Sequence, residues 1–429
     1  MGASAPIGIV GGGQLALLLA DAAQRQQIPL HVQTPSLNDP AASLAASVVQ
    51  APVGDAIATA ELSRRCSAIS FENEWVNLDA LAPLAEQGVQ FVPSLDALRP
   101  LVCKRSQREL LQRLHLPSPR WFGLEMALVS PDAANLAGDA DRAETAFSST
   151  PSSLQASQRQ QEQPRPSLPD GFHYPLMAKA ASGGYDGRGT VLLRNDADLE
   201  ALLERTHPAD WIVEEFVSFD RELAVVAARD VHGEVVLFPL VETHQYAQVC
   251  EWVLAPAEAN HALDQAVHNI AASLLTSLQY VGVLAIEFFY GPNGLQVNEL
   301  APRTHNSGHY SIEACNLSQF EQQLLLVSAE SALDVHLLVP GALMVNLLGF
   351  EAREPDDPEA AYGARREALA SISDAHLHWY GKAGSAIGRK LGHITLLLHE
   401  QDPAQRRQQA MRRLADVRQI WPLPPEAPQ

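Results

Sequence analysis

The chain has 429 residues, 46% hydrophobic, 19% charged and 6% aromatic, which is globular composition and length for two or three domains. Its 30 cationic and 50 acidic side chains leave a net charge of −20, which argues against binding duplex nucleic acid or an anionic membrane through a basic surface. All the cations are Arg except Lys104, Lys179, Lys382 and Lys390. A compact ammonium is not interchangeable with a planar guanidinium, so those places carry information.

Residues 7–10 read as a strand, Gly11–Gly13 as a tight turn, 15–23 as a helix and 30–32 as a second strand. Runs at 68–71 and 89–92 continue the alternation, so the first hundred residues form a small doubly wound parallel α/β domain. A helix follows over 103–115, stopped by Pro117 and Pro119. From 148 to 170 the sequence changes: 15 of 23 residues are Ser, Gln or Pro. Such a stretch buries too little apolar surface to offset its ordering entropy, and a disordered insertion is expected over 127–170. Strands return at 175–180, 191–193, 211–215, 222–228 and 235–240, with a helix over 196–205. Leu263, Val267, Ile270, Leu274 and Leu278 mark one face of a long helix. Two further strands lie around Ile286 and Val297. The expected domains are 1–101, 102–330 and 331–429.

Cys66, Cys103, Cys250 and Cys315 show no C-x-x-C pairing, as expected for reduced thiols. No apolar run reaches the ~20 residues of a membrane span. The first apolar stretch lacks a basic lead and is interrupted by Gly11–Gln14, so a soluble cytoplasmic protein is expected.

Gly11-Gly12-Gly13-Gln14-Leu15-Ala16 satisfies G-x-G-x-x-[GA] after a strand. The ribose-binding acid that a nicotinamide site wants about 20 residues later is missing. A structural tight turn and a phosphate-binding turn both remain open. Lys179 precedes Ser182-Gly183-Gly184-Tyr185-Asp186-Gly187-Arg188-Gly189, a glycine-rich turn between strands whose amides could close over a polyphosphate. It is not a P-loop, because Lys179 stands before the glycines.

Glu287 and Glu299 flank Gly291-Pro292-Asn293-Gly294. If Pro292, Asn293 and Gly294 form a three-residue loop with Gly294 left-handed, the two acids face each other; a four-residue loop would separate them. Facing carboxylates about 5 Å apart repel unless a cation lies between them. Oxygen ligands with Asn298 adjacent suit Mg²⁺ carrying phosphate oxygens, the plain alternative being two exposed acids on a sheet edge. The polar run Arg303 to His309 follows directly, and a basic cluster occupies His378-Trp379-Tyr380-Gly381-Lys382 and Arg389-Lys390.

Taken together, the GGGQL turn, FENE at 71–74, SGGYDGRG, VGVLAIEFF, NELAPRTHNSGHY and HWYGK…GRKLGH resemble the ATP-grasp superfamily. Within it, they resemble the N5-carboxyaminoimidazole ribonucleotide synthase family of purine biosynthesis. The likeness implies an α/β and α+β ATP-grasp fold with an N-terminal doubly wound domain and a small C-terminal domain. It implies an ATP-dependent carbon–nitrogen ligase that takes ATP, bicarbonate and aminoimidazole ribonucleotide, uses Mg²⁺ and forms a homodimer. Carried over by position, Lys104 and Lys179 would meet the ATP phosphates under a flap of Gly184, Tyr185, Asp186, Gly187, Arg188, Gly189 and Thr190. Glu214, Glu215, Phe216 and Val217 would border adenine, with Glu222 and Gln245 on the nucleotide. Glu287 and Glu299 would hold Mg²⁺ beside Asn298. Glu72, Tyr185, Arg188, Lys382 and Arg389 would bind the ribonucleotide, and Arg303, His305 and Lys382 would serve the chemistry.

The pattern departs from the family at Cys103, Lys104 and Arg108, where Asp-Arg-x-x-x-Lys is usual. It departs again at Gln245, with His244 one place early. A formate-dependent glycinamide ribonucleotide transformylase is the alternative; FENE and the HWYGK cluster speak against it.

Overall fold

The computed structural model describes residues 5–128, 166–183, 189–351, 353, 355 and 357–425. They form two compact units: Met1–Ser118 with Ser218–Gln429, and Pro119–Val217.

The first unit opens with β1 (Ile7–Val10), β2 (Leu30–Thr34), β3 (Ser47–Gln50) and β4 (Ala68–Phe71), parallel in the order β3-β2-β1-β4. The helix Gln14–Arg25 buries Leu15, Leu18, Leu19 and Ala22 against this sheet. Strand order reverses between β1 and β4, so Gly11 and Glu72, the residues that follow them, share the carboxyl edge where such folds bind ligands. The run at 89–92 contributes only one bridge, Ile69 to Phe91. Pro93 follows with no N–H to extend the ladder.

The second unit is an antiparallel sheet of β5 (Trp121–Gly123), β6 (Leu176–Ala180), β7 (Thr190–Leu193) and β8 (Trp211–Glu215), ordered β5-β8-β6-β7. The helix Asp196–Arg205 packs Leu199 and Leu202 with Phe122, Leu176, Ala178 and Val213. Residues 129–165 of the expected insertion lie outside the described residues, as do Gly184, Tyr185, Asp186, Gly187 and Arg188 of the expected flap. At the insertion's ends, the Ser167 amide donates to the Ala127 carbonyl at 3.0 Å and Leu168 packs on this core. The folded region therefore reaches inside the bounds 127–170, because Leu168 is one of the few aliphatics there and finds a place to bury.

A nine-stranded sheet completes the first unit. It comprises β9 (Arg221–Arg229), β10 (Val235–Leu237), β11 (Val241–Tyr246), β12 (Val249–Ala255), β13 (Gly282–Gly291), β14 (Gly294–Ala301), β15 (Gly341–Leu348), β16 (Ala375–Trp379) and β17 (Lys390–Leu398). Their order is β14-β13-β9-β11-β12-β15-β17-β16, with β10 on β9, so the last three strands extend the same sheet. The helix His261–Ser277 starts where the Asn260 side chain accepts from the Leu263 amide. It buries Leu263, Val267, Ile270 and Leu274 over β9 and β13, each worth about 2 kcal/mol. No helix among the described residues is long and apolar enough to cross a membrane.

The β13–β14 hairpin has neither the three-residue nor the four-residue loop weighed from sequence. Gly291 pairs with Gly294, leaving Pro292 and Asn293 as the connection. That register alone would set Glu287 opposite Asn298. A bulge at Asn298 inserts one residue, and Glu287 pairs with Glu299 after all.

Candidate active site

The bulged hairpin puts Glu287 and Glu299 on one face of β13 and β14. Burial raises the Glu287 pKa, and the charges of Glu299 and Glu222 push it further up, against Lys390 and Lys104. Lys104, at the first turn of the helix Lys104–Arg113, places Nζ 2.9 Å from Glu299 Oε1. One turn on, Arg108 is buried and donates to the Asn298 carbonyl at 2.6 Å. Gln107 donates to the Leu300 carbonyl and accepts from its amide. Of the cations where the family motif was expected, Lys104 meets a carboxylate, while Arg108 pins the bulged strand.

Glu222 stands opposite Phe289 on β9. The oxygen donors fit Mg²⁺, which keeps several ligands from phosphate and water. No group of three or more His, Cys, Asp or Glu among the described residues makes a complete metal cage.

Beyond β14, Arg303 and His305 lie in the same unit. Arg303 Nε donates to Glu74 Oε2 at 2.8 Å. Burial opposes the Arg303 cation, but Glu74, Glu299 and Glu72 outweigh it and its pKa lies above the ordinary value. Glu74 is the second acid of FENE, which sequence reasoning quoted but did not select. Its two-residue spacing from Glu72 was the available signal. His305 Nε2 stands 3.6 Å from Glu287 Oε1, and its Nδ1 lies 2.9 Å from Ser307 Oγ.

Glu72 fills the glycine turn. Its carboxylate accepts from the amides of Gly13 at 2.6 Å, Leu15 at 3.1 Å and Ala16 at 3.4 Å. Burial raises its pKa, against these amides and the nearby Lys382 charge. Lys382 Nζ donates to Gln14 Oε1 at 2.6 Å and lies over the Tyr380 ring. Glu72, Gln14 and Lys382 are thus gathered at the head of the first helix. Arg389 is exposed in the turn before β17. On β11, a bulge falls between His244 and Gln245. His244 pairs with Glu251 at 3.1 Å and stacks on Trp252, while Gln245 opposes Cys250.

In the second unit, Lys179 on β6 places Nζ 2.8 Å from the buried Glu214 of β8. Thr190 pairs with Lys179 across β6 and β7, and the Gly189 carbonyl accepts from the Ala180 amide. Glu215 pairs with Arg120. Phe216 is exposed and Val217 half-buried.

The two units carry the elements of an ATP-grasp enzyme, an ATP-dependent ligase. The ATP-grasp domain family matches residues 143–320. The ribonucleotide synthetase preATP-grasp domain matches 4–101, and the phosphoribosylaminoimidazole carboxylase C-terminal domain 342–407. The N5-carboxyaminoimidazole ribonucleotide synthase of Synechococcus elongatus is 45% identical over 423 residues, covering 99% of this chain and 97% of that protein. That of a Synechocystis strain is 42% identical over 400 residues, 91% of each. The chain belongs to the N5-carboxyaminoimidazole ribonucleotide synthase family.

Among solved structures, the Staphylococcus aureus N5-carboxyaminoimidazole synthetase complexed with ADP superposes with TM-score 0.76 at 28% identity, over 96% of this chain and 97% of that one. The Aspergillus clavatus synthase with ADP and 5-aminoimidazole ribonucleotide gives 0.77 at 28%, over 97% and 99%. The transformylase alternative is not favoured by these relatives.

Proposed function

We propose that this chain's residues divide the family's reaction as follows. The chain is an ATP-dependent ligase that carboxylates the exocyclic amine of 5-aminoimidazole ribonucleotide. A bicarbonate oxygen attacks the γ-phosphorus, ADP leaves, and carboxyphosphate results. The amine nitrogen then bonds to the carboxyl carbon, the bond to the phosphate oxygen breaks, and a proton leaves the nitrogen. Both steps bring anions together, so positioning and charge neutralisation are the main demands on the protein.

Lys179 and Lys104 meet the ATP phosphates, with Gly184 to Thr190 as the flap, Glu214 to Val217 at adenine, and Glu222 and Gln245 on the nucleotide. Glu287 and Glu299, beside Asn298, hold Mg²⁺. When bound there, Mg²⁺ supplies neutralisation of the charge that builds on the phosphates. Arg303, braced by Glu74, attracts bicarbonate, and His305 hydrogen-bonds it. Glu72, Tyr185, Arg188, Lys382 and Arg389 take the ribonucleotide, and Lys382 orients its amine. The observation that carries this reading is the facing pair Glu287 and Glu299 with Lys104 on one acid and His305 beside the other. The family likeness supports a homodimer in the cytoplasm, which sedimentation analysis and fractionation would check.

The test is ADP release with and without aminoimidazole ribonucleotide and with and without bicarbonate. Release should require both; release independent of the ribonucleotide would sink the substrate assignment. Glu299→Gln should abolish turnover with the circular dichroism spectrum intact, and near-normal activity in that variant would remove the metal reading.

A further inference from the structure

Gln319 lies in none of the motifs that carry the family resemblance, yet it is fully buried against His305. Its Oε1 accepts from the His305 amide at 2.9 Å and its Nε2 donates to the His305 carbonyl at 2.7 Å. A backbone N–H only donates and a carbonyl only accepts, so the orientation of this side-chain amide is forced. The second Nε2 hydrogen serves His309 Nδ1 at 3.1 Å, which must therefore be the acceptor.

The motif His305 to His309 is shaped around this contact. A Cβ on Gly308 would fall 2.6 Å from Gln319 Oε1 and 2.8 Å from Val226 Cγ2, so only glycine leaves room. Asn306 exchanges amide hydrogen bonds with Asn346 at 2.9 and 2.7 Å, fixing the segment to β15. Ser307 presents its amide to His305 Nδ1 at 3.3 Å and its hydroxyl at 2.9 Å. An amide facing Nδ1 requires a lone pair there, so the neutral imidazole carries its hydrogen on Nε2, the nitrogen directed toward Glu287. Gln319 itself is held at the start of the helix Gln319–Val327 by the capping box of Ser318 and Glu321.

We propose that Gln319 is a positioning residue for the carboxylation: by clamping both backbone groups of His305 it holds that imidazole as an Nε2–H hydrogen-bond donor toward the bicarbonate-derived oxygens. The inference rests on the reading that His305 faces bicarbonate or carboxyphosphate. It makes His305 a donor at that nitrogen, so a side chain whose amide can donate there should replace it in part.

The test uses the full-length enzyme with ¹⁵N-ring-labelled histidine, the His305 signals being assigned by their disappearance in His305→Gln. Gln319→Met keeps the shape and removes every hydrogen bond. Gln319→Glu keeps the acceptor for the His305 amide and removes both donors. Both should lower kcat, Gln319→Met by about 100-fold, leave KM for ATP unchanged, and change the His305 ring signals from the Nε2–H pattern. His305→Gln should retain more activity than His305→Ala.

A protein that folds, keeps kcat within about twofold in both Gln319 variants and keeps the His305 signals overturns the inference. If Gln319→Met fails to fold, Gln319→Glu decides by the same two readouts. His305→Ala with wild-type turnover overturns the underlying reading as well. His305→Ala inactive with both Gln319 variants unaffected overturns the positioning role alone.

Discussion

The molecule has two glycine-rich turns of similar composition, and what surrounds their glycines differs. At Gly11 to Gly13 crowding acts at every position, and Gly11 alone adds a φ of +121°. A Cβ on Gly13 would stand 2.5 Å from Glu72 Oε1, one on Gly11 would stand 2.5 Å from Glu72 Cβ, and one on Gly12 would meet Thr34 Oγ1 at 2.3 Å. The turn is a socket for the protein's own carboxylate, which occupies the helix N-terminus where a phosphate-binding turn would hold its ligand. At Gly183 the reason for glycine is backbone conformation. Its φ is +75°, and among the described residues no atom beyond its chain neighbours lies within 4 Å of a Cβ built there. A glycine count cannot distinguish a filled socket from an open turn; the neighbours do.

The largest expected effect in this comparison is from Gly13→Ala. The added methyl must displace a carboxylate that three amides hold. Overpacking of this kind costs about 1–3 kcal/mol. Turnover should fall by about 100-fold, because Glu72 and its neighbour Lys382 move with the turn. Denaturant unfolding and steady-state kinetics would check both, and a variant as stable and active as wild type would show that the socket yields freely.

Next comes Glu72→Gln. Its NH₂ must face an amide donor where a carboxylate oxygen accepted, at a cost of about 1–3 kcal/mol. The native pKa of Glu72 is raised, chiefly by burial. Between the unfolded value, about 4.3, and the higher native value, the folded state holds more proton than the unfolded one. Stability therefore falls as pH rises through that window. The wild type's advantage over Glu72→Gln should shrink across it. An advantage that grows with pH would mean that the amides and Lys382 outweigh burial.

Much of this was legible in the sequence because local pattern and tertiary role agree. The helix Asp196–Arg205 and the strand Trp211–Glu215 fall where period and composition place them. The facing of Glu287 and Glu299 follows from sequence only if the loop has three residues; the loop is one residue shorter, and the Asn298 bulge restores the facing. Nothing in Val297-Asn298-Glu299 announces a bulge, since Arg108, nearly 200 residues away, is what grips the Asn298 carbonyl. The strand Ser47–Gln50 escaped notice because only Val49 is buried in it. Glu74 and Gln319 were missed because their partners, Arg303 and His305, reach them only through the folded chain.

The smallest effect is expected from Gly183→Ala, which isolates the conformational reason from the steric one. An L-residue at φ +75° is strained by about 1–2 kcal/mol, and no contact among the described residues adds to that. The variant should lose about that much stability in its own unit and leave the unfolding of the rest unchanged. Because the turn leads from Lys179 into the proposed flap, KM for ATP should rise a few-fold, about 0.6–1 kcal/mol of binding, with kcat nearly preserved. Gly13→Ala, by contrast, should move kcat and leave KM for ATP alone. Hydrogen exchange resolved along the chain, paired with kinetics on both variants, would separate the two. Equal losses of stability and the same kinetic signature in both would mean that the turns do not differ in the way their surroundings indicate.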